Sequence, residues 1–167
     1  MHPVRILTLW CLLFTLAAAD SAFGGKLKFD LPNGFRAMTA SEIGQKFPTT
    51  NPPQVAYANP SMSCTVALTH SASKLEPAKL PEFKSFLESN LRQRPDLEWE
   101  SSELVSIGGR KWLRFVFVSA AVDQKIRNEM LGTSFEGRAL LINLNCTVKD
   151  YPSYKARLDK LRESFRI

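Results

Sequence analysis

Apolar positions along this chain repeat either every second residue or every three to four, and the switches between the two periods mark out the elements. Met62, Cys64, Val66 and Leu68 alternate with other residues, which predicts a strand over 62–69. Val55 to Tyr57 reads as its hairpin partner across the turn at Asn59-Pro60. Leu140, Ile142, Leu144, Cys146 and Val148 set the phase of a strand over 138–148, paired with one over 125–131 around Phe135-Glu136-Gly137. Over 111–119, Leu113, Phe115 and Phe117 form one apolar face, and Trp112, Val116 and Val118 the other. A strand apolar on both faces is a central strand covered on both sides. A strand over 104–107 precedes it through the hairpin pair Gly108-Gly109.

The helical period shows at two places. Phe83, Phe86, Leu87 and Leu91 predict an amphipathic helix from about Pro81 that ends before Pro95. Tyr154, Leu158, Leu161 and Phe165 predict a closing helix from about Pro152, where proline suits the first turn. Thr39-Ala40-Ser41-Glu42 is a capping box, so a short helix runs to Phe47 and stops at Pro48. Leu31-Pro32-Asn33-Gly34-Phe35 is a turn after a short strand that begins at Lys28, and residues 20–28 read as a frayed lead-in. Leu97-Glu98-Trp99-Glu100 falls in a connecting segment. No repeat or linker marks a second domain. The order of elements gives the α+β class, an antiparallel sheet with helices packed on it.

The beginning of the chain is built differently. One cation, Arg5, precedes a 14-residue apolar run from Ile6 to Ala19 that ends in small residues. This is the three-part secretory signal, with Ala17 and Ala19 as an A-x-A cleavage site. Residues 1–19 are therefore read as a signal peptide cut before Asp20, with Ala22 as the fallback. An uncleaved anchor would need roughly 18 to 20 apolar residues. Residues 20–167 form a single domain of 148 residues, expected in the periplasm with no integral membrane segment after processing. The formal charge falls from +6 to +5 as Arg5 leaves, and the cations are interleaved with acids. A mildly basic surface of that kind is no nucleic-acid footprint.

Export also changes the reading of the cysteines. Cys64 and Cys146 survive processing, sit on buried strand phases, and enter a compartment where disulfides persist. A bridge between them, favoured over two separate buried thiols, closes a loop of about 80 residues, worth about 4 kcal/mol in loop-closure entropy.

Catalytic chemistry finds little to work with. His70 is the one histidine past residue 19, and its six-residue offset from Cys64 on one strand is roughly 20 Å. A Cys146–His70 dyad requires an unbridged Cys146; a strand-end histidine is the simpler role. Zinc needs three or four nitrogen or sulfur ligands, and three at most are on offer. Glu98, Glu100 and Glu103 surround Trp99 without the glycine turn of a calcium loop. No phosphate-cradling glycine loop and no G-x-S-x-G elbow occurs. A Ser–Lys pairing would be spatial and stays open. Asn145-Cys146-Thr147 fits a glycosylation sequon inside a strand. The chain is read as a non-enzyme with no cofactor and no metal. For binding, Trp99 with Glu98 and Glu100 is the candidate partner contact, an aromatic among acids. Lys155, Arg162 and Arg166, with Asp159 among them, form a basic face on the last helix, read as a solvated face.

The succession of the Leu31-Pro32-Asn33-Gly34-Phe35 turn, the mid-chain amphipathic helix, the Ile107-Gly108-Gly109 turn and the final Glu163-Ser164-Phe165 resembles PsbP-like proteins, closest to the DcrB-type branch. The resemblance implies an α-β-α sandwich and non-enzymatic roles as accessory subunit, chaperone or binding module. Among small exported proteins of this kind are immunity proteins that neutralise type VI secretion toxins. The expected function is thus a periplasmic protein-binding module, an immunity protein or inhibitor acting on a secreted toxin, present as a monomer or weak dimer. The alternatives are a carrier or sensor of a small hydrophobic ligand, or an accessory subunit of an envelope complex.

Overall fold

A computed structural model describes residues 20–121 and 123–167; the signal peptide read over 1–19 lies outside the described residues. The sheet has seven antiparallel strands in the order β3-β4-β5-β9-β8-β7-β6. They are β3 (Arg36–Ala37), β4 (Val55–Ala58), β5 (Cys64–Lys74), β6 (Leu97–Ile107), β7 (Arg110–Ala120), β8 (Lys125–Phe135) and β9 (Arg138–Thr147). Every neighbouring pair is consecutive in the chain except β5 and β9. A separate two-stranded hairpin, β1 (Asp20–Ala22) and β2 (Leu27–Phe29), and three helices, α1 (Ala40–Lys46), α2 (Leu80–Arg92) and α3 (Tyr151–Ser164), complete the fold.

Alternation divides the sheet into two buried faces. On one, Val66, Leu68, Trp112, Leu131, Ile142 and Leu144 meet Leu158 and Leu161 of α3 and Phe165 just after it, together with Leu27 and Phe29 of the hairpin. On the other, Leu113, Phe115 and Phe117 lie under Phe83, Leu87 and Leu91 of α2, while Ala56, Ala58 and Ala67 lie under Ile43 and Phe47 of α1. β7 is apolar on both sides, as its sequence requires, because both layers reach it.

Three expectations are corrected. Residues 20–28 are an ordered hairpin, not a frayed lead-in. Ala22, Leu27 and Phe29 are buried, and Lys28 exchanges two backbone hydrogen bonds of 2.8 and 2.9 Å with Arg166. The segment Leu97–Glu100 is not a connection but the start of β6, an eleven-residue edge strand. Its register slips between Trp99 and Ser101, so the residues facing α2 change from odd, Leu97 and Trp99, to even, Ser102 and Leu104. Val105 and Ile107 turn to the α3 core, which hides the alternation. Phe86 is 63% exposed rather than part of the α2 stripe. Leu80, Phe83, Leu87 and Leu91 lie within about 80° of one another around the helix, and Phe86 lies about 100° away from their centre.

Local chemistry fixes the remaining parts. Thr39 and Glu42 form both halves of the capping box of α1. At the β6–β7 turn a Cβ on Gly108 (φ +56°) would sit 2.7 Å from the Phe165 carbonyl oxygen, so the residue after α3 packs directly on a glycine backbone. α2 is tied sideways to β6 at Glu88. Its carboxylate accepts from the Ser102 hydroxyl at 2.7 Å, from Lys84 at 2.9 Å and from Arg92 at 2.8 Å. These partners, the Ser102 hydroxyl foremost, hold its pKa down at about 2. Cys64 and Cys146 face each other across β5 and β9 with Cα atoms 4.0 Å apart and are bridged.

Two outcomes follow for stability. Reduction of Cys64–Cys146 lowers the unfolding free energy by about 2–4 kcal/mol, read as a shift of the urea midpoint with dithiothreitol; a loss under ~1 kcal/mol would show that the bridge does not constrain the unfolded chain. Because the native Glu88 holds its proton less tightly than the unfolded chain does, its contribution is complete above about pH 4.5 and is lost as pH falls toward 2. Urea midpoints measured across that window should fall less steeply for Glu88→Gln than for the parent; parallel curves would refute the assignment.

Candidate functional site

α1 and α2 cover only the two ends of their sheet face. Between them β8 and β9 carry Ile126, Asn128, Met130, Leu141, Asn143 and Asn145 on the surface side, all half-buried. The register sets these side chains in rows across the sheet: Thr65, Asn145, Asn128 and Phe117 in one, and Ala67, Asn143, Met130 and Phe115 in the next. Phe86 belongs to the α2 flank away from β6. Lys84 and Glu88, nearly opposite it around the helix, make their bonds toward Ser102 of β6. An aromatic ring thus stands exposed beside an uncovered strip of sheet.

At the α1 end the strip deepens into a depression of about 280 Å³. Its floor is Thr65, Asn128 and Asn145, its sides are Phe47, Ile126 and Ser119, and Lys46 and Gln124 stand at the rim. The lining contains no acid. Asn128 is held in place, since its amide donates to the Ser119 hydroxyl and the Ile126 carbonyl, each at 2.9 Å. Thr65 is 2% exposed, yet neither its hydroxyl nor the Asn145 side-chain amide bonds any described residue. Both groups open on the recess; among the described residues the side-chain polar atom buried without a partner is the Ser101 hydroxyl.

The other clusters are structurally committed. Glu129, 2% exposed, lies under α3 and accepts from Arg114 at 2.6 Å and from Arg162 at 3.2 Å. Arg127 is 3.9 Å from it and stacks at 4.1 Å on the Tyr151 ring. This cluster pins α3 to the sheet; a depression of about 250 Å³ lies against Arg114 and Arg162, but Glu129 itself does not line it. The expected basic face of α3 is largely spent in the same way: Arg162 also donates to Asp159 at 2.8 Å, Lys155 pairs with Asp159 at 2.6 Å, and Arg166 with Asp30 at 2.9 Å. His70 bonds the Phe135 carbonyl through Nε2 at 3.0 Å and receives Arg138 at Nδ1 at 3.3 Å; it lies within β5, at the register shift before Lys74, rather than at the strand end. Among the described residues no group of three or more His, Cys, Asp or Glu could hold a metal ion, and no helix is long and apolar enough to cross a membrane.

The residues put forward as a partner contact are placed on both sides of the β6 edge. Trp99 is half-buried on the α2 face, packed on Phe115 and Phe117 at 5.7 and 5.6 Å between centroids, and Arg92 lies 4.4 Å over its ring. Glu98 and Glu100 are on the α3 face, paired with Lys125 at 2.6 Å and Arg127 at 2.9 Å. The sequence reading missed the recess. Its signal was a set of amides and hydroxyls, Thr65, Ser119, Asn128, Asn143 and Asn145, on strand positions whose phase elsewhere is apolar.

No protein-family model matches the sequence, and no curated protein matches it. Solved structures do. The cyanobacterial PsbP (CyanoP) of Synechocystis sp. PCC 6803 aligns at a TM-score of 0.61 and 14% identity, over 92% of this chain and 95% of that one. LpqN of Mycobacterium tuberculosis, a protein involved in cell envelope biogenesis, aligns at 0.56 and 10% identity, over 83% and 81%. The Saccharomyces cerevisiae Ran-binding protein Mog1p aligns at 0.54 and 13% identity, over 90% and 94%. At such identities these likenesses establish architecture, and the chain has the PsbP-like α+β fold, as the order of its turns and helices implied.

Proposed function

We propose that the chain is exported through a signal peptide over residues 1–19, cleaved before Asp20, and acts in the periplasm as a non-enzymatic protein-binding module. The observation that carries this is the uncovered strip between α1 and α2, with Phe86 63% exposed beside it on an otherwise well-packed sheet. An exposed aromatic above a half-buried floor, on strands fully paired and bridged, is a preorganised anchor for another protein. Mog1p, which shares the fold, is a Ran-binding protein, and LpqN is involved in building a cell envelope. The partner class we infer is a secreted protein, most specifically a toxin delivered by a type VI system, which this chain would occlude as an immunity protein of DcrB-type ancestry. Glu98, Trp99 and Glu100 along the β6 edge form the second surface of the proposed contact. A carrier of small hydrophobic ligands has less support: Phe29, Phe115, Phe135, Phe165 and Trp112, which would line such a cavity, are fully buried core residues.

The test is capture from periplasmic extract containing the secreted effectors, with the tagged, oxidised chain as bait. One stoichiometric, salt-resistant partner is expected. Phe86→Ala should weaken its capture by about tenfold, the loss of one interface anchor. Glu98→Lys with Glu100→Lys should weaken it further if the β6 edge takes part. No partner in such an extract would sink the reading.

A further inference from the structure

We propose that the recess between α1 and the middle of the sheet is a binding site for a neutral saccharide ring. The reasoning begins with the lining. Two groups on its floor, the Thr65 hydroxyl and the Asn145 amide, bond no described residue and face the recess, free to meet a ligand. A hydroxyl and a carboxamide each donate and accept. They therefore match a ligand whose own groups do both, which is what the hydroxyls of a sugar offer.

Charge argues the same way. No acid lines the recess, and its one cation, Lys46, stands at the rim with its ammonium donating to the Met62 carbonyl at 3.3 Å. A phosphate or carboxylate reader would converge cations on the floor, and none is there. Next to the polar floor stand Phe47 and Ile126, an apolar wall against which the C–H face of a pyranose ring can lie. At about 280 Å³ the recess is just below the usual range for small-molecule pockets, the scale of one or two rings.

The alternative occupant of a groove on a sheet is an extended peptide. Peptides that dock on sheets gain affinity by pairing their backbone with an open strand edge. Here the floor belongs to β5, β9 and β8, each hydrogen-bonded on both sides. Only side chains are presented, and these are amides and hydroxyls.

The site is also preorganised. Asn128 is fixed by the Ser119 hydroxyl and the Ile126 carbonyl. Thr65 and Asn145 sit directly opposite each other in the register, and Asn145 directly opposite Asn128. The three polar side chains are thus one strand spacing apart, about 4.8 Å, so that neighbouring hydroxyls around one ring can be addressed together.

The test is an NMR titration of the ¹⁵N-labelled, folded and oxidised chain with N,N′-diacetylchitobiose and, separately, cellobiose. The expected result is saturable shifts at the side-chain amides of Asn128 and Asn145 and the backbone amide of Thr65 with at least one sugar. Thr65→Val and Asn145→Leu should each weaken that binding by about tenfold. The dispersion of the same spectra verifies that the variants are folded, and Thr65→Val keeps the shape of the buried side chain. Absence of saturable shifts at these amides up to roughly 10 mM of either sugar overturns the proposal. So does binding that survives both substitutions, or a capped tri-alanine peptide that shifts the same amides more strongly than the sugars. The recess is the α1 end of the strip proposed for the protein contact, but Phe86 does not line it, so loss of sugar binding and loss of partner capture on Phe86→Ala are separate outcomes.

Discussion

The β5–β9 pairing is the seam on which the molecule depends. All other neighbours in the large sheet follow one another in the chain, so β3–β5 and β6–β9 are two meanders, each local in sequence. Only β5 and β9 join them, at a separation of 82 residues where Cys64 meets Cys146. Closing so long a loop has an entropic cost that local hairpins do not face, and the bridge sits where that cost falls. The consequences extend to both faces. Val66, Leu68, Ile142 and Leu144 make the floor under α3, while on the other face Ala67 lies under α1 and Thr65, Asn143 and Asn145 make the floor between α1 and α2. If the seam slipped by one residue, these two sets would exchange faces.

That dependence explains what could be read from the sequence. Strands β5 and β9 show a readable phase and β7 is apolar on both faces, because each lies between two covering layers. Their faces, the capping box at Thr39 and Glu42, and the turn at Gly108-Gly109 were all legible. β6 was only half legible because a bulge at Trp99–Ser101 reverses its phase midway, and an edge strand has fewer neighbours to enforce alternation. Phe86 looked like core because the helical template accepts a residue three positions on. Leu80 shifts the true seam of α2 to the other side of Phe83. The hairpin at 20–29 was illegible for a different reason: its partner, Arg166, lies at the opposite end of the sequence.

The candidate site shows the same division. Trp99, Glu98 and Glu100 stood out because aromatic and acidic residues alternate there, yet the alternation itself sends them to opposite faces of β6. The recess left almost no trace, since asparagine and threonine in a strand carry little signal individually. What makes them a site is register, which sets Thr65, Asn145 and Asn128 side by side across three strands. Cross-strand adjacency depends on a pairing between distant segments, and no local pattern encodes it. Buried charge behaves likewise: Glu129 gathers Arg114 from β7 and Arg162 from α3, and neither arginine is near it in sequence.

The clasp between Lys28 and Arg166 carries a consequence for how the chain is made. The β1–β2 hairpin finds its backbone partner at Arg166, beyond the whole sheet in sequence, and Phe29 rests on Phe165 at 5.6 Å between ring centroids. During synthesis or threading through a pore, the hairpin therefore lacks its partner until Phe165 and Arg166 have emerged, and that edge of the α3 face stays open until then. A sheet already paired from β3 to β9 thus still lacks its latch until the segment after α3 folds back on the hairpin.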